Sequence, residues 1–264
     1  MSETLVDRYD ALLIDLDGTV YRGAEVVPGA VEAVARARAH GVGIRFVTNN
    51  ASRSPQAVAE HLLELGFDTS VEEVSTSSQA GAAMLAERLP QHSTVLVLGT
   101  KALEAEVLKR GLTPTDTAEG AVAVLQGLSM DLGWRELAEA AVAIRSGALW
   151  VACNVDVTLP TERGLLPGNG SLVAALKAAT DQEPLVAGKP ATPLLQQAAK
   201  DLGAHRPLVI GDRLDTDVLG AVNAGMDSLL VLTGVSTEED AQALPAAQRP
   251  TYVGADLSVL HRLP

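Results

Sequence analysis

Ala11-Leu12-Leu13-Ile14-Asp15-Leu16-Asp17-Gly18-Thr19 decides the fold of this 264-residue chain. An apolar run without polar alternation, closed by Gly, reads as a strand buried on both faces of a parallel sheet. Two acids, two residues apart at the end of such a strand, make no sense for folding alone. Asp is a poor strand former, and a buried unpaired charge is costly. In open α/β sheets, ligands bind at the carboxyl ends of the strands, so these acids stand where chemistry would offset the cost. On this stretch alone an Asx-turn at a strand-to-loop transition stays open. A calcium loop fits less well, because no bidentate Glu follows at the required position.

Outward from that stretch, apolar strand-like runs recur: Leu12–Leu16, Ile44–Thr48, Thr94–Leu98, Ala121–Leu125, Ala148–Ala152, Pro207–Ile210 and Ser228–Leu232. Helical spacing fills the intervals, over Gly29–His40, Pro55–Leu65, Ala80–Leu89, Leu103–Lys109, Trp134–Arg145, Ser171–Ala179, Thr192–Leu202 and Thr216–Ala224. Ser54-Pro55 is an N-cap followed by Pro at the first helical position, and Gly41, Gly66, Gly111, Gly203 and Gly225 follow helix ends. Strand alternating with helix implies βαβ units and a parallel sheet. Ser75-Thr76-Ser77-Ser78-Gln79 reads as a polar loop and a boundary. Residues 80–186 carry their own alternation and few chemical groups. The expected division is therefore a core over 1–79 and 187–264, with 80–186 inserted.

Composition narrows the function. At 47% hydrophobic and 3% aromatic, the core is aliphatic, the usual material of helices laid on a parallel sheet. A net charge of −13 without any Lys/Arg run argues against nucleic acid. No apolar run approaches a membrane span, and the N-terminus does not resemble a signal peptide. The single cysteine, Cys153, excludes an internal disulfide framework, points to a reducing cytoplasm and is expected as a packed core thiol. The five histidines are scattered, so a zinc site is not expected.

Three more strand ends carry chemistry. Ile44-Arg45-Phe46-Val47 ends in Thr48-Asn49-Asn50, whose hydroxyl and amides suit phosphate oxygens. Gly188-Lys189-Pro190 fixes the backbone around one lysine ahead of a helix. Leu208-Val209-Ile210 ends in Gly211-Asp212-Arg213-Leu214-Asp215-Thr216-Asp217, three acids that repel one another unless a cation or hydrogen bonds compensate. Acids, a Thr/Asn cradle and a lysine are the parts needed for Mg²⁺-assisted phosphoryl transfer to a carboxylate. A chain of charge −13 attracts an anion only by inverting its local field, with Mg²⁺, Lys189 and Arg213 or Arg53 as the available cations.

These four motifs, in this order, resemble those of the haloacid dehalogenase superfamily, and the gap before the lysine resembles its NagD-like branch. Asn154-Val155-Asp156 and the stretch from Leu159 to Ser171 also look like that branch, although Val155 stands where these proteins often have Pro. The resemblance covers nearly the whole chain. It implies a doubly wound α/β parallel-sheet core of Rossmann-like topology, with an inserted α/β cap that sets substrate specificity. It further implies Asp15 as nucleophile and Asp17 as acid, then base. Thr48, Asn49 and Lys189 would bind phosphate. Mg²⁺ would be held by Asp15, Asp17 through its backbone carbonyl, and Asp212, while Asp217 would orient the site. Asp215 stays open between a site residue and a solvated loop acid.

A halide leaving group needs no proton, so Asp17 argues for ester hydrolysis rather than dehalogenation. The expected substrate is a small phosphomonoester. Glycerol 3-phosphate comes first, with pyridoxal phosphate and nucleoside monophosphates as alternatives. Loops from about Gly127 to Trp134 and from Asn154 to Leu165 are expected to choose it, and Trp134 and Trp150 stay open between core and contact roles. A phosphoacceptor regulatory domain is the competing class, although such domains are about half this length and order their acids differently. An NAD-binding Rossmann enzyme fails, because no Gly-x-Gly-x-x-Gly follows the first strand. Homodimerisation through cap or core is common in such folds but nothing in the sequence fixes it.

Overall fold

A computed structural model describes residues 4–161 and 163–262. The chain divides into two compact units. One takes residues within 1–48, 55–75 and 189–264, and the other takes 49–54 and 76–188.

The first unit is built on six strands in the order 252–254, 227–231, 207–211, 11–14, 43–48, 74–76. Ala11–Ile14 is fully buried and pairs in parallel with Pro207–Ile210 on one side and Gly43–Phe46 on the other. Alternate residues go to opposite faces. Leu12, Ile14, Ile44, Phe46, Leu208 and Ile210 pack with Ala33, Val34 and Ala37 of helix Ala30–Ala39 and Val58 and Leu62 of helix Pro55–Glu64. Leu230 turns instead to Val218 and Ala241. From Ala11–Ile14 the chain first builds outward to 43–48 and 74–76, then resumes at 207–211 on the opposite flank. The strand order therefore reverses between 11–14 and 207–211, the position where open α/β sheets leave a crevice beyond their carboxyl ends.

The second unit has a five-stranded sheet of order 185–186, 149–152, 123–126, 94–98, 113–115, with all four pairings parallel. Leu96, Leu98, Val124 and Ala152 pack against Ala140, Ala143 and Ile144 of helix Trp134–Arg145 and Val173 and Leu176 of helix Asn169–Thr180. Trp150 is core, 4% exposed, and donates to Gln126 Oε1 at 3.0 Å, whereas Trp134 is 84% exposed. Cys153 is fully buried, which pushes its thiol pKa upward.

Two expectations need correction. The run 75–79 is not a loop: Val74–Thr76 is a buried strand and Ser77 begins a helix reaching Ala86. Thr76 Oγ1 accepts from the Gln79 amide while Gln79 Oε1 accepts from the Thr76 amide, a reciprocal cap that a polar string also spells. The helix expected from Thr216 begins as a π-helical turn over Leu214–Val218 and continues as an α-helix over Leu219–Ala224. Short elements at 113–115, 185–186, 238–243 and 252–254 lack the length for periodicity to show.

Candidate active site

Asp15 follows the last residue of the strand Ala11–Ile14, and its amide donates to the Ile210 carbonyl at 2.8 Å, extending the parallel ladder by one residue. Asp212 follows Pro207–Gly211, the strand next door. The two acids thus stand side by side at the reversal of strand order.

The π-helical turn brings Asp217 back to the same place. Carboxylate oxygens of Asp15, Asp212 and Asp217 lie within 4.8 Å of one another, and among the described residues no histidine joins the group. Lys189, 2% exposed, reaches between them. Its ammonium donates to Asp15 Oδ1 at 2.5 Å, to Asp217 Oδ1 at 2.6 Å and to the Val47 carbonyl at 3.3 Å. That last bond sets the end of strand Gly43–Thr48, with Thr48 4% exposed, beside the cluster.

The electrostatics follow from one ammonium facing three carboxylates. Burial works against the charge on Lys189, but Asp15 and Asp217 more than offset it and hold its pKa above the usual lysine range. Burial pushes the Asp15 carboxyl well upward; Lys189 pulls it back, and the charges of Asp217 and Asp212 push it up again. Burial, then the Asp217 charge, raises Asp212 to about 6 despite the amide bond from Val235. Surplus negative charge in a desolvated site calls for a further cation.

A divalent cation fits these residues. Asp212 Oδ2 accepts from the Val235 amide at 2.7 Å, whereas its Oδ1 is buried without a hydrogen-bond partner among the described residues. An orphaned carboxylate oxygen beside two further carboxylates is an all-oxygen donor set, the kind Mg²⁺ takes.

Access separates the acids. The Asp15 side chain keeps 13% exposure, against 2% for Asp217, while Asp212 is 1% exposed, so only Asp15 is open to a substrate. Asp17 is exposed and bridges to Tyr21 at the start of the short hairpin Tyr21–Val26; its carboxylate is not part of the three-acid group. Asp215 lies on the π-helical turn, its side chain 68% exposed and held by Arg213 Nη2 at 2.7 Å. Arg213 is thereby partnered by an acid of the turn it precedes.

Asn49 opens the second unit. Its carbonyl accepts from Ser77 Oγ at 2.6 Å and from Asn154 Nδ2 at 2.8 Å, and its amide donates to Asp156 Oδ2 at 3.2 Å. Asn154 is in turn held by Asn169 Nδ2 at 2.7 Å. Sequence reasoning did not find the loop Thr233-Gly234-Val235-Ser236, whose amides bind Asp212. Its signal was the same as elsewhere: a Thr-Gly pair closing an apolar strand, here Asp227–Val231.

A haloacid dehalogenase-like hydrolase model matches residues 12–113, and a HAD-hydrolase-like model matches 186–260. A D-glycerol 3-phosphate phosphatase of Mycobacterium tuberculosis is 53% identical over 98% of this chain and 73% of its own. A 5'-nucleotidase of Bacillus subtilis is 40% identical over 88% of this chain and 90% of its own. A crystal structure of the mycobacterial glycerol phosphate phosphatase in complex with magnesium superposes with a TM-score of 0.95, over 99% of this chain and 79% of that one.

Proposed function

The chain belongs to the haloacid dehalogenase-like hydrolases, and from that premise we infer that it hydrolyses a small phosphomonoester by way of a phosphorylated Asp15. The observation that carries this reading is the Asp15–Lys189–Asp217 contact beside the orphaned Asp212 Oδ1. Asp15 Oδ attacks phosphorus, and the bond from phosphorus to the ester oxygen breaks. Asp17 gives its proton to the departing alkoxide, which leaves as an alcohol. Asp17, now a carboxylate, takes a proton from water as the water oxygen attacks the phosphoryl-Asp15, releasing inorganic phosphate and free Asp15. Lys189 favours the ionised form of Asp15 and orients it, and Thr48 and Asn49 hold phosphoryl oxygens. Asp15, Asp212 and the Asp17 carbonyl would hold Mg²⁺, with Asp217 beside them, and the ion would supply positive charge against the phosphoryl oxygens.

Glycerol 3-phosphate is the substrate we favour. Support comes from the mycobacterial relative, named for that activity, whose likeness to this chain runs through both units. The relatives of this chain are named as a phosphatase and a 5'-nucleotidase, which leaves the regulatory-domain alternative without support. We assign catalysis to the core of 1–79 and 187–264 and substrate choice to the inserted 80–186 segment. We place the protein in a reducing cytoplasm, in keeping with its single, buried cysteine. Among the described residues no helix is long and apolar enough to cross a membrane.

Phosphate release from glycerol 3-phosphate, pyridoxal phosphate and nucleoside monophosphates, with Mg²⁺ and then with EDTA, tests both levels. The reading expects the highest kcat/KM on glycerol 3-phosphate and no turnover in EDTA. Preference for another ester would overturn the substrate; full turnover by Asp15→Asn would overturn the nucleophile.

A further inference from the structure

Asp212 is gripped by backbone on two sides. A Cβ added to Gly18 would lie 2.5 Å from Asp212 Oδ2, and one added to Gly234 would lie 1.9 Å from it. Only loops bare of side chains approach a carboxylate so closely. The loop 233–236 also supplies its bonds. The Val235 amide donates to Asp212 Oδ2 at 2.7 Å, the Ser236 amide donates to the Asp212 carbonyl at 3.1 Å, and Ser236 Oγ accepts from the Leu214 amide at 3.1 Å.

What fixes that loop is a second pair of contacts, reaching to the motif that carries Asp15 and Asp17. Thr233, 9% exposed, donates from Oγ1 to the Gly18 carbonyl at 2.7 Å, and Arg22 Nε donates to the Thr233 carbonyl. Gly18 is itself held by its amide on the Tyr21 carbonyl at 2.8 Å. One hydroxyl therefore links the Asp17-Gly18 turn to the loop that saturates one oxygen of Asp212 and leaves the other bare.

We propose that Thr233, braced by Arg22, is a positioning residue for the cation: it ties loop 233–236 to Gly18 and so holds Asp212 with Oδ2 satisfied and Oδ1 offered. The proposal rests on the functional reading above. Mg²⁺ demands near-ideal octahedral ligand placement and tolerates little drift in a carboxylate. Partners of metal ligands that act one bond away change affinity about 10–100-fold when removed. Neither Thr233 nor Arg22 is a carboxylate, so their loss would act through the groups they position, Asp212 and the Asp17-Gly18 turn.

The test is calorimetric titration of Mg²⁺ into metal-free full-length protein. Thr233→Val is expected to raise the Mg²⁺ Kd about tenfold or more, and Thr233→Ser, which keeps the hydroxyl, to stay within about twofold of wild type. Phosphatase activity of Thr233→Val is expected to fall at limiting Mg²⁺ and recover in excess. Arg22→Met, at an exposed position where folding is not in question, is expected to weaken Mg²⁺ in the same direction and by less. Wild-type affinity in both Thr233→Val and Arg22→Met overturns the proposal, as does equal weakening in Thr233→Val and Thr233→Ser. Absence of Mg²⁺ binding in the wild-type protein would instead overturn the reading of the site, and this proposal with it.

Discussion

Lys189 Nζ lies 2.6 Å from Asp217 Oδ1, and both side chains are 2% exposed. A pair this deep is held in place by its geometry, since each charge alone would be stranded in a desolvated site. Removing one partner of a buried ion pair costs about 3–5 kcal/mol, most of it the penalty of leaving the other unpaired.

Lys189→Met is therefore expected to lower the melting temperature as well as abolish turnover, and Mg²⁺ is expected to restore part of the lost stability. Calorimetry with and without the ion checks this. An unchanged melting temperature in metal-free Lys189→Met would show that the ammonium contributes nothing to the fold.

The fate of the leaving group separates the duties of the two acids in the first motif. Asp17→Asn cannot protonate an alkoxide, yet a nitrophenolate is a far weaker base and leaves unaided. We expect this variant to lose about 10²–10⁴-fold on glycerol 3-phosphate. With 4-nitrophenyl phosphate it should release one equivalent of nitrophenolate rapidly and then stall. Equal losses on both esters, with no burst, would remove Asp17 from the role of acid.

Asp212→Asn is expected to divide stability from function. Burial and the neighbouring Asp217 both disfavour a charge at this position. Neutralising it should leave the metal-free melting temperature at or above that of wild type, while the stabilisation conferred by Mg²⁺ disappears. Thermal melts over a Mg²⁺ series measure both quantities. A variant still stabilised by Mg²⁺ would place the ion elsewhere.

Acid stability has its own source, remote from the site. Arg38, on helix Ala30–Ala39, pairs with Glu73 in a fork, Nη1 to Oε1 at 2.5 Å and Nη2 to Oε2 at 2.9 Å. Burial raises the Glu73 carboxyl, but the bonds from Arg38 and Thr69 outweigh it, and its pKa falls below the usual glutamate range. A depressed acid stabilises the fold at pH values above its unfolded value, about 4.3, and that contribution is lost as the pH falls below it. Glu73→Gln is expected to cost about 1 kcal/mol at pH 7 and less at pH 3, read from urea midpoints at both. An identical cost at the two pH values would exclude the ion pair as its origin.

The parts of the molecule legible in the sequence share one physical trait. Strands such as Ala11–Ile14 and Pro207–Gly211 are buried on both faces, so their apolar runs stand out against everything around them. Acids at the ends of such runs are conspicuous because folding alone gives them no reason to be there. Thr76 and its neighbours misled because the residues that cap a helix are those that populate loops. Trp134 and Trp150 were indistinguishable because an aromatic residue on a helix or strand has no local mark of the side it faces; only packing separates 84% exposure from 4%. The Val235 contact escaped because a backbone amide leaves no trace in residue identity.

The adjacency of strand 11–14 to strand 207–211 also bears on how the molecule comes into being. Asp15 is synthesised 174 residues ahead of Lys189, and Asp212 and Asp217 come later still. Until then Ala11–Ile14 lacks the neighbour on one flank, and the second unit has to form as an interruption within an unfinished sheet. Assembly of the acidic cluster thus waits for its later members, so a product that stops short of Lys189 cannot form it.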